Sequence, residues 1–347
     1  MRTFFSILML MSIFTTAHAQ NLEWDVVKIN RQQRFKRTVP PANYSGIAHI
    51  HGNLYAVVDD KSPKDGFYLF AIDIDSVSGR ITDARRLDFQ GQNLLSAGDN
   101  TSNRDDEGIA FVLENQRIYI SGERDKQVLE YTLDGQRTGR RFFMPQAFAT
   151  AHRNGGLESL TYDAANHCFW TTTELPLPAD STCIHRLQQF DEQLTPCKQL
   201  LYQTDAPEIS KRGRSHINGI SELLAIGADS LLVLERELYV PKKKIGARVI
   251  NRLSLCHPNY SLNNEQDELG NQHHANNREQ KVFITQKRLL CRWQTRLNLT
   301  RRSFANYEAM CLGPRLIDGS QVILFMADSQ NHYKRLLRDW FRTIVVR

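Results

Sequence analysis

The sequence predicts an all-β fold: a single-domain β-propeller, six-bladed, with its ring closed by strands from both chain ends. Three observations predict it. Short β-branched and aromatic runs alternate with turn residues along the chain. Long stretches with helical periodicity are scarce, which disfavours an α/β fold with a helix after every strand. One supersecondary unit also recurs roughly every 50 to 90 residues, the range of propeller blades and other repeat arrays.

The chain has 347 residues, 41% hydrophobic and 24% charged. That composition excludes a disordered chain, a collagen-like repeat and a coiled coil. Lys and Arg number 44 against 38 Asp and Glu, a net charge of +6. No basic stripe or known module accompanies the excess, so nucleic acid is not an expected partner. Met1 to Ala19 read as a signal peptide. Arg2 supplies the positive start, Phe4 to Phe14 the apolar stretch, and Ala17-His18-Ala19 the A-x-A cleavage site. Residues 20–347 are then the mature propeller domain, expected to be a soluble monomer in a periplasm or outside the cell. No later segment is apolar over the roughly 18 residues a membrane span needs. Six cysteines fit an oxidising compartment. Cys183 and Cys197 flank a hairpin-like stretch and are the pair expected to bond. The absence of C-x-x-C spacing speaks against a zinc or thioredoxin-type site.

The elements follow in order. Glu23 to Ile29 reads as a strand, and Arg342 to Val346 as its partner in one shared blade. Tyr44-Ser45-Gly46-Ile47-Ala48 leads through Leu54 to Val58 and ends on Asp59-Asp60. Phe67 to Ile74, the turn at Ser76-Val77-Ser78-Gly79 and Ile81 onward form a hairpin. Asp105-Asp106-Glu107-Gly108-Ile109-Ala110 leads into Arg117 to Gly122 and ends on Glu123. Val128 to Leu133, closed by Asp134-Gly135, starts another hairpin. Gly155-Gly156-Leu157-Glu158-Ser159-Leu160 leads into Cys168 to Thr173 and ends on Glu174. Asn218-Gly219-Ile220-Ser221-Glu222-Leu223 leads into Leu231 to Leu234 and ends on Glu235. Asn306-Tyr307-Glu308-Ala309-Met310 leads into Val322 to Ala327 and ends on Asp328. The offsets between first and last acid are 123−107=16, 174−158=16, 235−222=13 and 328−308=20. A sixth blade is expected between Ala247 and Leu297, a region that contains a polar loop at 259–280. Helices are expected near Gln280 and over Tyr333 to Trp340.

These elements resemble a family. Asp-Glu-Gly-Ile-Ala, Gly-Leu-Glu-Ser, Glu-Arg after an apolar strand, Asn-Tyr-Glu-Ala-Met and the late strand closing on Ala327-Asp328 are similar to the phytase-like domain, the "esterase-like activity of phytase" family. The resemblance spans Tyr44 to Tyr333. It implies a propeller and a phosphoester-hydrolase role resting on acidic residues. The sequence departs from the family pattern at Ser45 and at Glu308-Ala309, where Gly is more usual after Glu.

Residues repeated at one blade position form a ring. Glu107, Glu158, Glu222 and Glu308 are therefore expected to converge near the axis as the catalytic set. Asp60, Glu123, Glu174, Glu235 and Asp328 are expected to form a second, metal-holding ring. Crowded carboxylates repel unless a cation sits among them, and Arg124, Arg236, Lys126 or a bound metal could serve. Oxygen-only ligands select a hard divalent ion such as Ca²⁺. Arg124 and Arg236 would bind the phosphate of a small-molecule substrate. Two alternatives stay open: a non-catalytic ligand-binding propeller whose acids hold blades together, and a lactonase-type hydrolase. A serine-hydrolase reading fails because Ser221 lacks the second Gly of a nucleophile elbow. His49, His51, His152 and His216 offer bases without an identifiable triad.

Overall fold

The computed structural model describes residues 24–93, 104–227, 230–243, 245–258, 284–297, 303–332 and 337–347. Val26–Ile29 (β1) opens the chain. Blade one then comprises Tyr44–His51 (β2), Leu54–Asp59 (β3), Lys64–Ile74 (β4) and Ile81–Asn93 (β5). Blade two is Asp106–Val112 (β6), Arg117–Gly122 (β7), Gln127–Tyr131 (β8) and Arg137–Arg141 (β9). Leu157–Asp163 (β10), Cys168–Thr173 (β11), Ile184–Phe190 (β12) and Pro196–Gln203 (β13) make blade three. Ser215–Ala225 (β14), Leu231–Val240 (β15), Ala247–Cys256 (β16) and Lys287–Leu297 (β17) make blade four. Asn306–Arg315 (β18), Gln321–Asp328 (β19) and Phe341–Val346 (β20) complete the order. Every sheet is a four-stranded antiparallel meander, and the last has the order β1-β20-β19-β18.

The ring therefore has five blades, a correction to the expected six. The region expected to hold a sixth blade is the outer half of blade four. There β16 pairs with β15 over Tyr239↔Arg248 to Leu231↔Cys256, and β17 with β16 over Ala247↔Leu297 to Cys256↔Lys287. Dividing chain length by a standard blade counted as a blade what is chain between two strands of one sheet. The closure is as expected: β1 pairs with β20 from Val26↔Val346 to Ile29↔Ile344. The first strand then has no free partnerless edge on its inner side.

Five apolar clusters fill the five seams between sheets. Tyr44, Tyr55 and Phe70 of blade one pack with Cys311, Leu324 and Met326 of blade five. Val58 and Phe67 meet Ile109, Ile118 and Ile120, Tyr119 and Phe142 meet Leu160 and Phe169, and Trp170 and Leu187 meet Leu223 and Val233. Leu234, Leu253 and Trp293 meet Tyr307, Phe325 and Ile344 and return the ring to blade five. Every blade is thus buried on both faces, as the near-continuous apolar runs of β3, β7, β11, β15 and β19 require. Around the axis, the inner strands approach so closely that a Cβ on Gly46 would collide with the Glu107 carbonyl oxygen.

Other expectations fare differently. The cysteines at 183 and 197 are free, as are the other four. In the β12–β13 register Ile184 faces Gln203 while Phe190 faces Pro196. Cys183 and Cys197 therefore lie at opposite ends of one hairpin, some six residues or about 20 Å of strand apart, well beyond bridging reach. The stretch 337–340 is not helical, and the described helical element is a 3-10 turn at Gln146–Thr150. The signal peptide, residues 333–336, Gln280 and the 259–280 loop lie outside the described residues. No helix among the described residues is long and apolar enough to cross a membrane.

Candidate functional site: an acidic mouth at the ring axis

Each inner strand carries a register shift at the same height. The shift falls at Ser45 in blade one, between Asp106 and Ile109 in blade two, at Glu158 in blade three, at Ser221 in blade four and at Glu308 in blade five. A bulge inserts an unpaired residue and re-aims its side chain. The five equivalent positions are thus Ser45, Glu107, Glu158, Ser221 and Glu308. The partner strands reach the same level, four of them ending there while β15 runs on to Val240. Tyr44↔Asp59, Asp106↔Gly122, Leu157↔Thr173, Ile220↔Glu235 and Tyr307↔Ala327 place Asp60, Glu123, Glu174, Arg236 and Asp328 as the next residues at the mouth.

Seven of the eleven sequence-predicted residues meet here as carboxylates. Glu107, Glu158 and Glu308 feel one another's charge, and Asp60, Glu123, Glu174 and Asp328 surround them. Burial, reinforced by this mutual repulsion, holds Glu107, Glu158 and Asp328 well above the usual carboxylate range. Burial also pushes Asp60 up to about 7, against the opposing pull of Lys61. Glu123 is raised less steeply in environment: burial lifts it while the N–H groups of Gly155 and Gly156 donate to its Oε1.

Arg236 sits inside this cluster. It is 3% exposed, pairs with Glu174 and Glu308, lies 3.7 Å from Glu158 and donates to Asn306 Oδ1 at 3.0 Å. Both of its terminal nitrogens are therefore engaged by carboxylates, while the buried Nε has no hydrogen-bond partner. Arg124 reaches the rim and pairs with Asp105 at 2.8 Å. Lys126 turns away, its ammonium donating to the carbonyls of Ala149 and Ala151 at 2.7 and 2.8 Å.

Two predicted residues are not in the mouth. Glu222 follows the bulge residue, so it lies one residue deeper. Its carboxylate accepts the Leu223 N–H at 3.0 Å and the N–H groups of Leu160 and Met310 from the blades on either side. Four blades have a small residue at that position, Gly46, Gly108, Ser159 and Ala309, and Glu222 is the fifth. Glu235 precedes the mouth residue and points to the opposite face of its sheet. There it accepts from Tyr202 Oη at 2.6 Å and Asp205 N at 2.8 Å and pairs with Lys287.

Sequence reasoning missed Asp105. This residue adopts a left-handed backbone, φ 57°, which Asp tolerates better than most residues. It brings a carboxylate oxygen within 4.8 Å of those of Asp60 and Glu107. Three consecutive acids, Asp105-Asp106-Glu107, were the available signal. The middle one faces away, salt-bridged to Arg104 at 2.9 Å. The oxygen-only donor set suits a hard cation. Asp60 also has a buried Oδ1 without a hydrogen-bond partner, while its Oδ2 accepts from Lys61 at 2.6 Å. A buried orphan acceptor of this kind is costly unless something positive meets it.

The family described as "Phytase-like: Esterase-like activity of phytase" matches residues 40–330. The chain belongs to this family. The phytase-like match ends two residues past Asp328, so it encloses the whole acidic mouth. No curated protein matches the sequence. Solved structures of similar shape include a nidogen/laminin complex, at 11% identity over 86% of this chain and 83% of that one, TM-score 0.39. A streptogramin B lyase structure aligns at 10% identity over 91% and 98%, TM-score 0.37. Hydrazine synthase of Kuenenia stuttgartiensis aligns at 9% identity over 89% and 88%, TM-score 0.37.

Proposed function

We propose that this phytase-like propeller is a divalent-cation-dependent phosphoester hydrolase acting at the acidic mouth. The observation that carries the reading is the gathering of eight carboxylates, those of Asp60, Asp105, Glu107, Glu123, Glu158, Glu174, Glu308 and Asp328, against three cations, Lys61, Arg124 and Arg236. Such a mouth repels a phosphate on its own and attracts cations. Asp60, Asp105 and Glu107 would hold the ion, Ca²⁺ being the best match to their hard oxygen donors. When bound, the ion supplies Lewis acidity toward a phosphoryl oxygen and toward water.

The chain's own groups do the rest. Arg236 fixes the positions of Glu158, Glu174 and Glu308 and keeps their charge partly neutralised. Burial and the neighbouring carboxylates hold Glu158 above the usual carboxylate range, which favours its protonated form. A protonated carboxyl there can donate to a leaving alkoxide as a general acid. Glu123 is held in place at the mouth by two backbone N–H groups.

The test is hydrolysis of a phosphomonoester, a carboxylic ester and a lactone by the full chain, with Ca²⁺ and with EDTA. The expected result is phosphate release that EDTA abolishes and Asp60→Asn lowers at least 100-fold. EDTA-insensitive turnover, or turnover of the lactone alone, would overturn the reading.

A further inference from the structure

The mouth end of blade five carries a second charged feature of opposite sign. The position follows from register. β19 runs up to Asp328 at the mouth, and β20 begins at Phe341 opposite Met326. Gln33 pairs with Phe341 in both directions, N–H to carbonyl, at 2.8 and 2.9 Å. The segments around residues 31–36 and 338–342 therefore lie at the same end of the ring as the acidic mouth.

One hollow there is lined by Arg34, Lys36, His332, Arg338 and Asp339, among others. Among the described residues no carboxylate lies within ion-pair distance of Arg34, Lys36 or Arg338, although 25 such contacts occur elsewhere. Arg34 is held in place by stacking over the Trp340 ring, 4.9 Å from its centroid. Burial and the neighbouring Arg338 guanidinium pull the Arg34 pKa below its ordinary value, with Asp339 opposing. Two guanidiniums kept together, with one carboxylate nearby, leave an excess of positive charge that an anion would relieve.

Asp339 offsets only part of this charge, one carboxylate against Arg34, Arg338 and Lys36, and both of its oxygens also have hydrogen-bonding partners in the loop. Oδ1 accepts from Ser329 Oγ at 2.5 Å and Oδ2 faces His332 Nε2 at 2.6 Å. The carboxylate thereby orients the imidazole, leaving Nδ1 as its other polar atom. Gln330, Asn331 and His332 are three successive non-glycine residues in left-handed backbone, φ 47°, 49° and 53°. Such conformations persist only where the surroundings over-determine them. Here Asn331 N–H donates to the Ala42 carbonyl at 3.1 Å, and His332 N–H donates to Ser329 Oγ at 3.1 Å. The loop presenting His332 is thus built, not slack. The hollow has room of about 10 Å³, enough for roughly one water-sized group. That suits a single oxygen of an anion seated at the rim.

We propose that Arg34, Lys36, Arg338 and the Asp339-oriented His332 form an oxyanion subsite that takes a phosphate group. Its place beside the mouth gives a substrate with more than one phosphate two points of attachment. Arg34 and Arg338 offer the forked donors that phosphate oxygens accept bidentately. These are the roles that Arg124 and Arg236, spent on carboxylates, do not fill. Phosphate binding itself requires only the rim; that the phosphate belongs to the substrate of the mouth rests on the function proposed above.

Titrating inorganic phosphate into the full chain in EDTA, by calorimetry at low ionic strength, tests the subsite without a metal. Saturable binding is expected. It should weaken at least about tenfold in the Arg34→Ala, Arg338→Ala double variant and in the surface variant Lys36→Glu, while Glu107→Gln retains it. Chloride at equal ionic strength should compete far less than sulfate. Lys36→Glu keeps the test open if the double variant does not fold, since Lys36 is exposed. No saturable binding, or binding unaltered by Lys36→Glu, or binding lost in Glu107→Gln, would overturn the subsite. Phosphate binding that persists in a protein with no metal-dependent hydrolysis would leave the subsite standing and remove the proposed function alone.

Discussion

Blade four and the other four blades solve the same position with opposite charge. At the level where blades one, two, three and five present Asp60, Glu123, Glu174 and Asp328, blade four presents Arg236. At the inner bulge, where blades two, three and five present Glu107, Glu158 and Glu308, blade four presents Ser221, whose Oγ lies 3.3 Å from the Leu234 carbonyl oxygen of its own blade. The difference shows how an acid-lined axis is made tolerable. A ring with acids in every blade would need all its charge neutralised by protons or bound ions. One buried arginine placed among three glutamates partly neutralises the blade-three to blade-five side. The opposite side, Asp60, Asp105 and Glu107, has only the half-exposed Lys61 and Arg124. The mouth is thereby divided into a half held by the protein's own cation and a half open to an external one.

Removing Arg236 is the sharpest way to break that division. Arg236→Leu leaves Glu158, Glu174 and Glu308 without their cation in a buried site. Breaking one side of a buried ion pair costs about 3–5 kcal/mol. Urea unfolding at pH 8 should show a loss of that order. The loss should shrink at pH 5, where the orphaned carboxyls take up protons. A loss below about 1 kcal/mol at pH 8 would mean that the arginine and its three partners do not act as one unit.

The open half gives the next effect. Asp60, raised to about 7, and Glu107, Glu158 and Asp328, raised by burial and mutual repulsion, bind more protons folded than unfolded. Stability that depends on those protons is complete below the ordinary carboxylate range and is lost as pH rises through the folded values. In EDTA the melting temperature should therefore fall between pH 5 and pH 8. Ca²⁺ should restore it at pH 8 and change little at pH 5, where protons already occupy the oxygens. A melting temperature that rises with pH in EDTA, or one indifferent to Ca²⁺ at pH 8, would refute the open half.

The same comparison explains what could be read from the sequence. The propeller, its closure by β1 and β20 and the acids of four blades were legible, because rotational repetition leaves matching residues at matching positions. Blade four was misread by one residue at each end. Aligning Glu222 and Glu235 gave an offset of 13, against 16 in blades two and three, whereas Ser221 and Arg236 give 236−221=15 and blade one gives 60−45=15. Glutamates adjacent to the true positions drew the alignment onto the wrong sheet face, since a slip of one reverses every side chain in a strand. The blade count failed for a different reason. The 30 residues between Cys256 and Lys287 interrupt one sheet, and nothing in their polar composition distinguishes an interruption from a degenerate blade. The sequence shows Asp105 only as the first of three consecutive acids, and its left-handed backbone is what turns it toward Asp60.

Glu222 and Glu107 give the finest contrast, for they stand at successive heights of one axis and differ in their partners. Glu222 meets backbone N–H groups from three blades and no other carboxylate. Glu107 meets Glu158, Asp60, Glu308 and Glu123. Glu222→Gln replaces an acceptor oxygen with an NH₂ group facing an N–H donor, so it should cost about 1–3 kcal/mol and leave the Ca²⁺ response intact. Glu107→Gln removes a repelling charge, so in EDTA at pH 8 it should cost less than about 1 kcal/mol or stabilise slightly, and it should abolish most of the Ca²⁺ response. Melting temperatures of the two variants with Ca²⁺ and with EDTA read both quantities at once. If the signatures came out exchanged, the ion would belong deeper in the channel, at the level of Glu222. The division of the mouth into two halves would then have no bearing on binding.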